Sequence, residues 1–339
     1  MNTLLSKFVL QRLGATSTSA FKTASRAGFT LLELLVAALL AGLVVSGLLT
    51  LVVQLLEVDA RESSRSETQR DMQLAMDYIS TELRQAVYVY TGECLYGQAG
   101  SGCPQGGNSL ATRLQGPLGA NARPVLAFWR HEPLPSALRD DCRDDAAQAT
   151  AAGVPCITGS SYALIVYALS TENPNAIWQG RARIVRYALT QFTSTGTATP
   201  GYRNPFDQAG GTTTADPFGS WTPPAGAALG GQAAVLTDYV DFGEGATATA
   251  VAFPTPPSNL CPETPPPTPT RYSFSPVTPP GPIGFYTCVS PSTPGSYQEV
   301  LLFLRGNAFG RPSVFTDTSF LTTLETRVQT RGVLERNGN

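Results

Sequence analysis

The chain has 339 residues, 42% of them hydrophobic and 14% charged, with 32 Gly and 27 Pro: enough apolar residues for a sizeable core, but far fewer charges than the roughly 25% of an ordinary globular domain. Its two lysines, Lys7 and Lys22, lie with Arg12 and Arg26 in an acid-free stretch, 1-28, of net charge +4, while residues 29-339 hold 19 Arg against 25 acids, a net -6. A lysine-free acidic body excludes nucleic acid as a partner, because neutralising phosphates needs clustered cations, and a single histidine excludes a His-rich metal centre.

The first element after the basic stretch is apolar. Residues 34-53 read LLVAALLAGLVVSGLLTLVV, without a charge or a Pro. At about 1.5 Å per residue such a helix spans roughly 30 Å, one hydrocarbon core. A secretory signal would carry a shorter apolar run and a small-x-small cleavage site. This run continues into polar helix, so it reads as a retained anchor. Glu33 stands at its entrance, where a carboxylate is costly and implies a function and a partner. Cleavage between Gly28 and Phe29 would create an α-amino group four residues away, able to neutralise Glu33 of a neighbouring helix.

Basic leader, Gly28, Phe29, Thr30, Leu31, Leu32, Glu33 and apolar helix together resemble the class III signal of type IV prepilins and pseudopilins. The resemblance implies that a prepilin peptidase removes residues 1-28 and N-methylates Phe29, and that Glu33 serves assembly. It also implies as partners other major and minor pilins or pseudopilins and an inner-membrane assembly platform. The helix lacks the internal Pro of many major pilins, which suggests a straighter helix and a minor subunit.

The transmembrane helix is assigned to 29-56 and an amphipathic periplasmic helix to 57-91. No Gly or Pro interrupts 48-91, and Met72, Met76, Ile79, Leu83, Val87 and Tyr90 recur at three- or four-residue spacing, one apolar face. Residues 57-71 read as a solvated neck. The helix is expected to break at Thr91-Gly92, with no long helix after it.

Residues 92-339 read as a β-rich domain. Segments 123-130, 161-170, 181-190, 233-243 and 299-306 are short, rich in Val, Leu, Tyr and Phe, and bounded by turn residues. ARIVRYAL alternates like a half-buried strand, and TRVQTR near the end is read as a last strand. The fold class is α+β: a long N-terminal helix packed on an antiparallel sheet, pilin-like, with irregular insertions at 193-232 and 254-294. The second insertion holds 14 of the 27 prolines. It reads as an extended, polyproline-like surface loop, with a ligand for a Pro-binding module as the sharper and less favoured reading.

Six cysteines, Cys94, Cys103, Cys142, Cys156, Cys261 and Cys288, all follow the anchor. The basic leader places itself in the cytoplasm and the cysteines in the periplasm, where disulfides persist. Fifteen pairings exist. Neighbour pairing, 94-103, 142-156 and 261-288, is preferred because each pair closes a Gly- or Pro-rich loop, and the bridges are expected to staple loops and leave the sheet core alone.

No catalytic set emerges, and no cofactor is implied. His131 would have to serve any Ser-His-Asp site and reads better as a surface residue. Asp140, Asp141, Asp144 and Asp145 could in principle hold Ca²⁺, but their spacing fits no known loop and a solvated turn is favoured. Asp238, Asp241 and Glu244 form a weaker set. There is no P-loop or dinucleotide fingerprint, so the chain reads as a non-enzyme.

The layout resembles the J-type pseudopilin of type II secretion and the W-type minor pilin. The blocks LRQAVYVY, RPVLAFWRHEPLP, SYALIVYALS, AIWQGRARIVRYAL and FLTTLETRVQTRGVL look like the C-type pseudopilin of hormogonium polysaccharide secretion in filamentous cyanobacteria. That resemblance implies a minor pseudopilin in a type IV pilus or type II secretion-like pseudopilus, supporting polysaccharide secretion and gliding motility, with the exported polysaccharide as a further partner. The alternative is a membrane-tethered adhesin or polysaccharide-binding module on a pilin stalk. Clustered exposed aromatics among Trp178, Tyr202 and Trp221 would favour it.

Overall fold

A computed structural model describes residues 30-207, 216-242, 261, 272-277, 284-292, 297-315 and 320-331. Gly28, Phe29, Glu244 and most of the Pro-rich insertion lie outside them. The chain divides into two units, Met1–Leu55 and Leu56–Asn339.

Helix α1, Leu31–Leu83, runs through the boundary between these units. Its Leu-, Val- and Ala-rich sequence up to Leu55 exposes every side chain. Among the described residues it is the one helix long and apolar enough to cross a membrane. From Ser64 onward one face is buried: Ser64, Thr68, Met72, Ala75, Met76, Ile79 and Leu83.

The helix stops at Leu83, eight residues earlier than the apolar spacing predicts. Residues 86-89, Ala-Val-Tyr-Val, form strand β1 (Ala86–Val89) instead, with Tyr88 opposite Trp129. A run of β-branched and aromatic side chains favours the pleat once a neighbouring strand is available. Val87 and Tyr90 are buried, but in a different core from Met72, Met76, Ile79 and Leu83.

Short helices α2 (Gly92–Tyr96) and α3 (Leu110–Leu118) lead into β2 (Ala122–Pro133), and α4 (Ser136–Asp144) and α5 (Ala146–Ala151) into β3 (Ser160–Ser170). Then come β4 (Ala182–Leu189), β5 (Gln232–Val240), β6 (Ser273–Ser275), β7 (Phe285–Val289), β8 (Glu299–Asn307) and β9 (Leu321–Gln329). All pairings are antiparallel, in the order β1-β2-β3-β4-β5-β8-β7-β6, with β9 on β8.

Both faces of the sheet are covered. Phe128, Ile165, Tyr167, Ile184, Leu302 and Leu304 face α1. Trp129, Leu164, Val166, Val185 and Tyr187 face a second core built by α2, α3 and loop residues Phe218, Trp221 and Leu229. Strands buried on two sides are apolar nearly throughout, which accounts for the continuous run SYALIVYAL. The alternation of β4 has another cause than a solvent face: Arg186 points toward α1 and meets a partner there.

The sheet curls until its ends meet. The register shift between Pro124 and Leu126 frees the Val125 carbonyl, which accepts hydrogen bonds from Ser275 Oγ (2.6 Å) and Thr287 Oγ1 (3.3 Å). The Gln298 side chain takes the place of a strand beside β1. Val89 N–H donates to its Oε1 at 2.7 Å, and its Nε2 donates to the Val89 carbonyl at 2.8 Å. Helix α1 crosses β8 at Gly306, where a Cβ would lie 2.7 Å from Met72 Cγ.

Candidate functional site

The N-terminal segment carries the residues with the most specific sequence signal. Thr30 caps α1: Glu33 N–H lies 3.0 Å from the Thr30 carbonyl and 3.3 Å from its Oγ1, and Leu34 N–H lies 3.2 Å from the same carbonyl. Thr-x-x-Glu is the spacing of a capping box, a signal the sequence reading passed over. Glu33 thus occupies the first turn, where the helix dipole favours an anion. It has a local reason to be there besides any partner. Gly28 and Phe29 fall outside the described residues.

The second unit holds the continuation of α1 by two sets of charges and a pair of hydrogen bonds to backbone carbonyls. In its last turn Glu82 receives Arg186 bidentately, Nη2 at 2.7 Å and Nε at 2.9 Å, with Tyr167 Oη donating a short hydrogen bond and Arg130 Nη1 at 3.5 Å. Burial alone would raise the Glu82 pKa; Arg186, Tyr167 and Arg130 outweigh it and hold the carboxyl below its usual range. Tyr167 is pushed well up by burial and by Glu82. Higher on the helix, Arg311 meets Glu67 at 2.6 Å and Asp71 at 2.5 Å and lies over the Tyr239 ring. Ser64 Oγ and Arg61 Nε donate to the Pro312 and Ser313 carbonyls.

The remaining candidates fall apart spatially. Asp241 is buried against Arg305 at 2.6 Å, and Asp238 accepts from the backbone of Gln179 and Gly180 and pairs with Arg183. Asp140 and Asp144 flank Arg143, and Asp145 caps α5. Among the described residues no group of three or more His, Cys, Asp or Glu is placed to hold a metal. His131 is exposed and rests on Tyr162, ring centroids 4.7 Å apart. Partial desolvation against its neighbours, then the charge of Arg331, lowers its pKa.

Trp221 is 2% exposed and packs edge-on against Trp129, as does half-buried Tyr202. Trp178 sits apart, with Arg183 over its ring. These three aromatics form no common exposed surface.

Disulfides join Cys94 to Cys103, Cys142 to Cys156 and Cys261 to Cys288. The second bridge lies in a small satellite cluster with Leu134, Leu138 and Val154. The third departs from the expectation that bridges spare the sheet. Cys288 lies on β7, and both sulfurs are buried among Tyr272, Phe274, Tyr286, Leu301 and Phe303.

Residues 23-49 match the family profile described as the prokaryotic N-terminal methylation motif. Comparison with curated proteins and with solved structures finds no match. The motif is the one that prepilin peptidase processes. Together with an apolar N-terminal helix and a curled antiparallel sheet, it supports a structural, type IV pilin-like protein with a single-pass anchor.

Proposed function

We propose that this chain is a non-catalytic minor pseudopilin, cut between Gly28 and Phe29, N-methylated at Phe29, and assembled with other pilin-like subunits by an inner-membrane platform. The observation that carries the reading is the methylation motif over 23-49, running straight into a helix capped at Thr30 with Glu33 in its first turn. The globular domain belongs on the periplasmic side, with its three disulfides. In the assembled state Glu33 meets the Phe29 amine of a neighbouring subunit within the bilayer. An unpaired carboxylate there costs about 2.5-3.5 kcal/mol on insertion scales, and pairing recovers part of that in a single register.

The pseudopilus so formed supports polysaccharide secretion and gliding motility; this rests on the resemblance of the sequence blocks. The alternative, a tethered adhesin or polysaccharide-binding module, loses its sequence argument, because Trp221 is buried and Trp178 stands apart. The deciding experiment is purification of the filament fraction. Presence of this chain, starting at Phe29, supports a subunit. A chain confined to the membrane while secretion proceeds normally rejects it.

A further inference from the structure

After β8 the chain steps along α1 toward the end of its apolar run. Arg311 pairs with Glu67 and Asp71, the Pro312 carbonyl accepts from Ser64, and the Ser313 carbonyl accepts from Arg61. Each step covers about 4.5 Å of helix rise. Val314 is then buried, and Phe315 beside it is 77% exposed. On the way back to β9, Phe320 lies under the Arg65 guanidinium. Both limbs of the β8–β9 connection are therefore fastened to α1.

Single exposed apolar side chains are ordinary, and Ile157, at 93%, is one. Phe315 differs in what lies next to it. Glu57 is the first charged residue after Glu33, and Leu56 and Val58 on either side of it are exposed. A helix that crosses a bilayer leaves the hydrocarbon near its first charge. Arg61, paired with Glu57, stands one turn beyond it, about 6 Å, within a headgroup layer roughly 5–7 Å thick. Leu56, Val58, Arg61 and the β8–β9 connection all belong to the second unit.

We propose that Phe315 is a second point of membrane contact. Its ring enters the boundary between headgroups and acyl chains of the bilayer that α1 crosses, beside the exit of the helix. The surface it meets is zwitterionic lipid. Glu57, Asp59 and Glu62 outnumber Arg61 and Arg65 on this stretch of α1, so the site offers no net attraction for anionic headgroups, and burial of an apolar ring needs none. The ring is presented in place, because Arg311, Pro312 and Ser313 hold the loop on the helix. The proposal rests on the reading of α1 as a membrane anchor and is independent of how Gly28 and Glu33 function.

The test places the full chain in phosphatidylcholine nanodiscs doped with phosphatidylcholine that carries a diazirine on the acyl chain near the glycerol. Illumination, proteolysis and mass spectrometry then map the lipid adducts. Adducts are expected on the apolar run of α1 and at Phe315, and not at Ile157. Ile157 is the control because it is the more exposed of the two and lies toward the other end of the helix. It precedes β3, whose Ala163 pairs with Arg130, and Arg130 reaches Gln85; α1 rises roughly 33 Å from Arg61 to Leu83. Phe315→Glu should lose the loop adduct and Phe315→Trp should keep it, both with an unchanged thermal midpoint. A labelled α1 with an unlabelled Phe315 overturns the proposal in favour of a neighbouring subunit as the cover for this ring. Equal labelling of Ile157, or an undiminished loop adduct in folded Phe315→Glu, also overturns it. An unlabelled α1 overturns the anchor reading together with the proposal.

Discussion

Glu82 and Arg186 join the last turn of α1 to the middle of β4 through two parallel contacts, 2.7 Å and 2.9 Å, in a pocket where Tyr167 and Arg130 complete the carboxylate's partners. The pair is separated by 104 residues and fixes both the rotation and the height of the helix on the sheet. A leucine in the same place would hold the helix without choosing its register. The pair therefore specifies the docking as well as stabilising it.

Removing Glu82 leaves two guanidiniums facing a buried void. Breaking a buried pair from one side costs about 3-5 kcal/mol. Glu82→Ala should therefore lower stability by an amount in that range, measured by denaturant titration of the full chain in detergent. Loss below ~1 kcal/mol would mean that the pair contributes register alone.

The same carboxyl makes stability depend on acid. Its folded pKa lies below its unfolded value, so its contribution is complete above the unfolded carboxylate pKa of about 4.3. The contribution drains away as pH falls through the lower folded value. Stability of the wild type should fall more steeply below pH 4 than that of Glu82→Gln. Identical slopes would assign the acid sensitivity elsewhere.

The bridges should not be equivalent. Cys261 and Cys288 close a separation of 27 residues inside an apolar cluster against the sheet, while Cys142 and Cys156 close 14 in a satellite. Replacing the first pair by Ser should cost about 2-5 kcal/mol, and the second pair less. Thiol labelling of denatured, unreduced protein should find no free cysteine, since all six are paired. Two or more labelled thiols in the extracted protein would contradict that.

Processing has a direct readout. Mass spectrometry of the membrane-extracted protein should give an N-methylated Phe29 start, and a bulky replacement such as Gly28→Leu should leave the leader attached. An intact Met1 start in wild type would defeat the minor-pseudopilin reading.

Glu33→Leu separates assembly from anchoring. Normal cleavage, a stable membrane protein and loss of filament incorporation are expected. Because Glu33 also sits in the first turn of α1 behind the Thr30 cap, Thr30→Ala serves as the control for a capping defect. It should weaken the helix start by about 1 kcal/mol and leave incorporation intact. Incorporation of Glu33→Leu at the wild-type level would end the assembly role.

Much of this architecture was legible in residue patterns. The apolar stretch, the buried Met72-Leu83 face and the five long strands follow from hydropathy at period 3.6 or in unbroken runs. The end of α1 was not, because Val87 and Tyr90 continue the helical spacing while β1 takes them to the opposite core. β6 and β7 were hidden in Pro-rich sequence and are held by pairing with each other, by the pairing of β7 with β8 and by a disulfide, which no local pattern displays. Arg186 looked like the solvent side of an alternating strand; its partner on α1 lies far away in sequence. At the N-terminus the sequence was the more informative, since the motif over 23-49 is a pattern of residue order along the chain.

The clasp between Gln298 and Val89 has a consequence for biogenesis. The two residues are separated by 209 positions, so β1, first of the strands to be synthesised, keeps an unsatisfied edge until nearly all of the chain has been made. Contacts between distant residues close slowly. The nascent chain therefore passes through a long interval in which α1 is complete and the sheet is not. Every intervening loop can change length over generations without disturbing closure, provided that its two ends still deliver Val89 and Gln298 to each other.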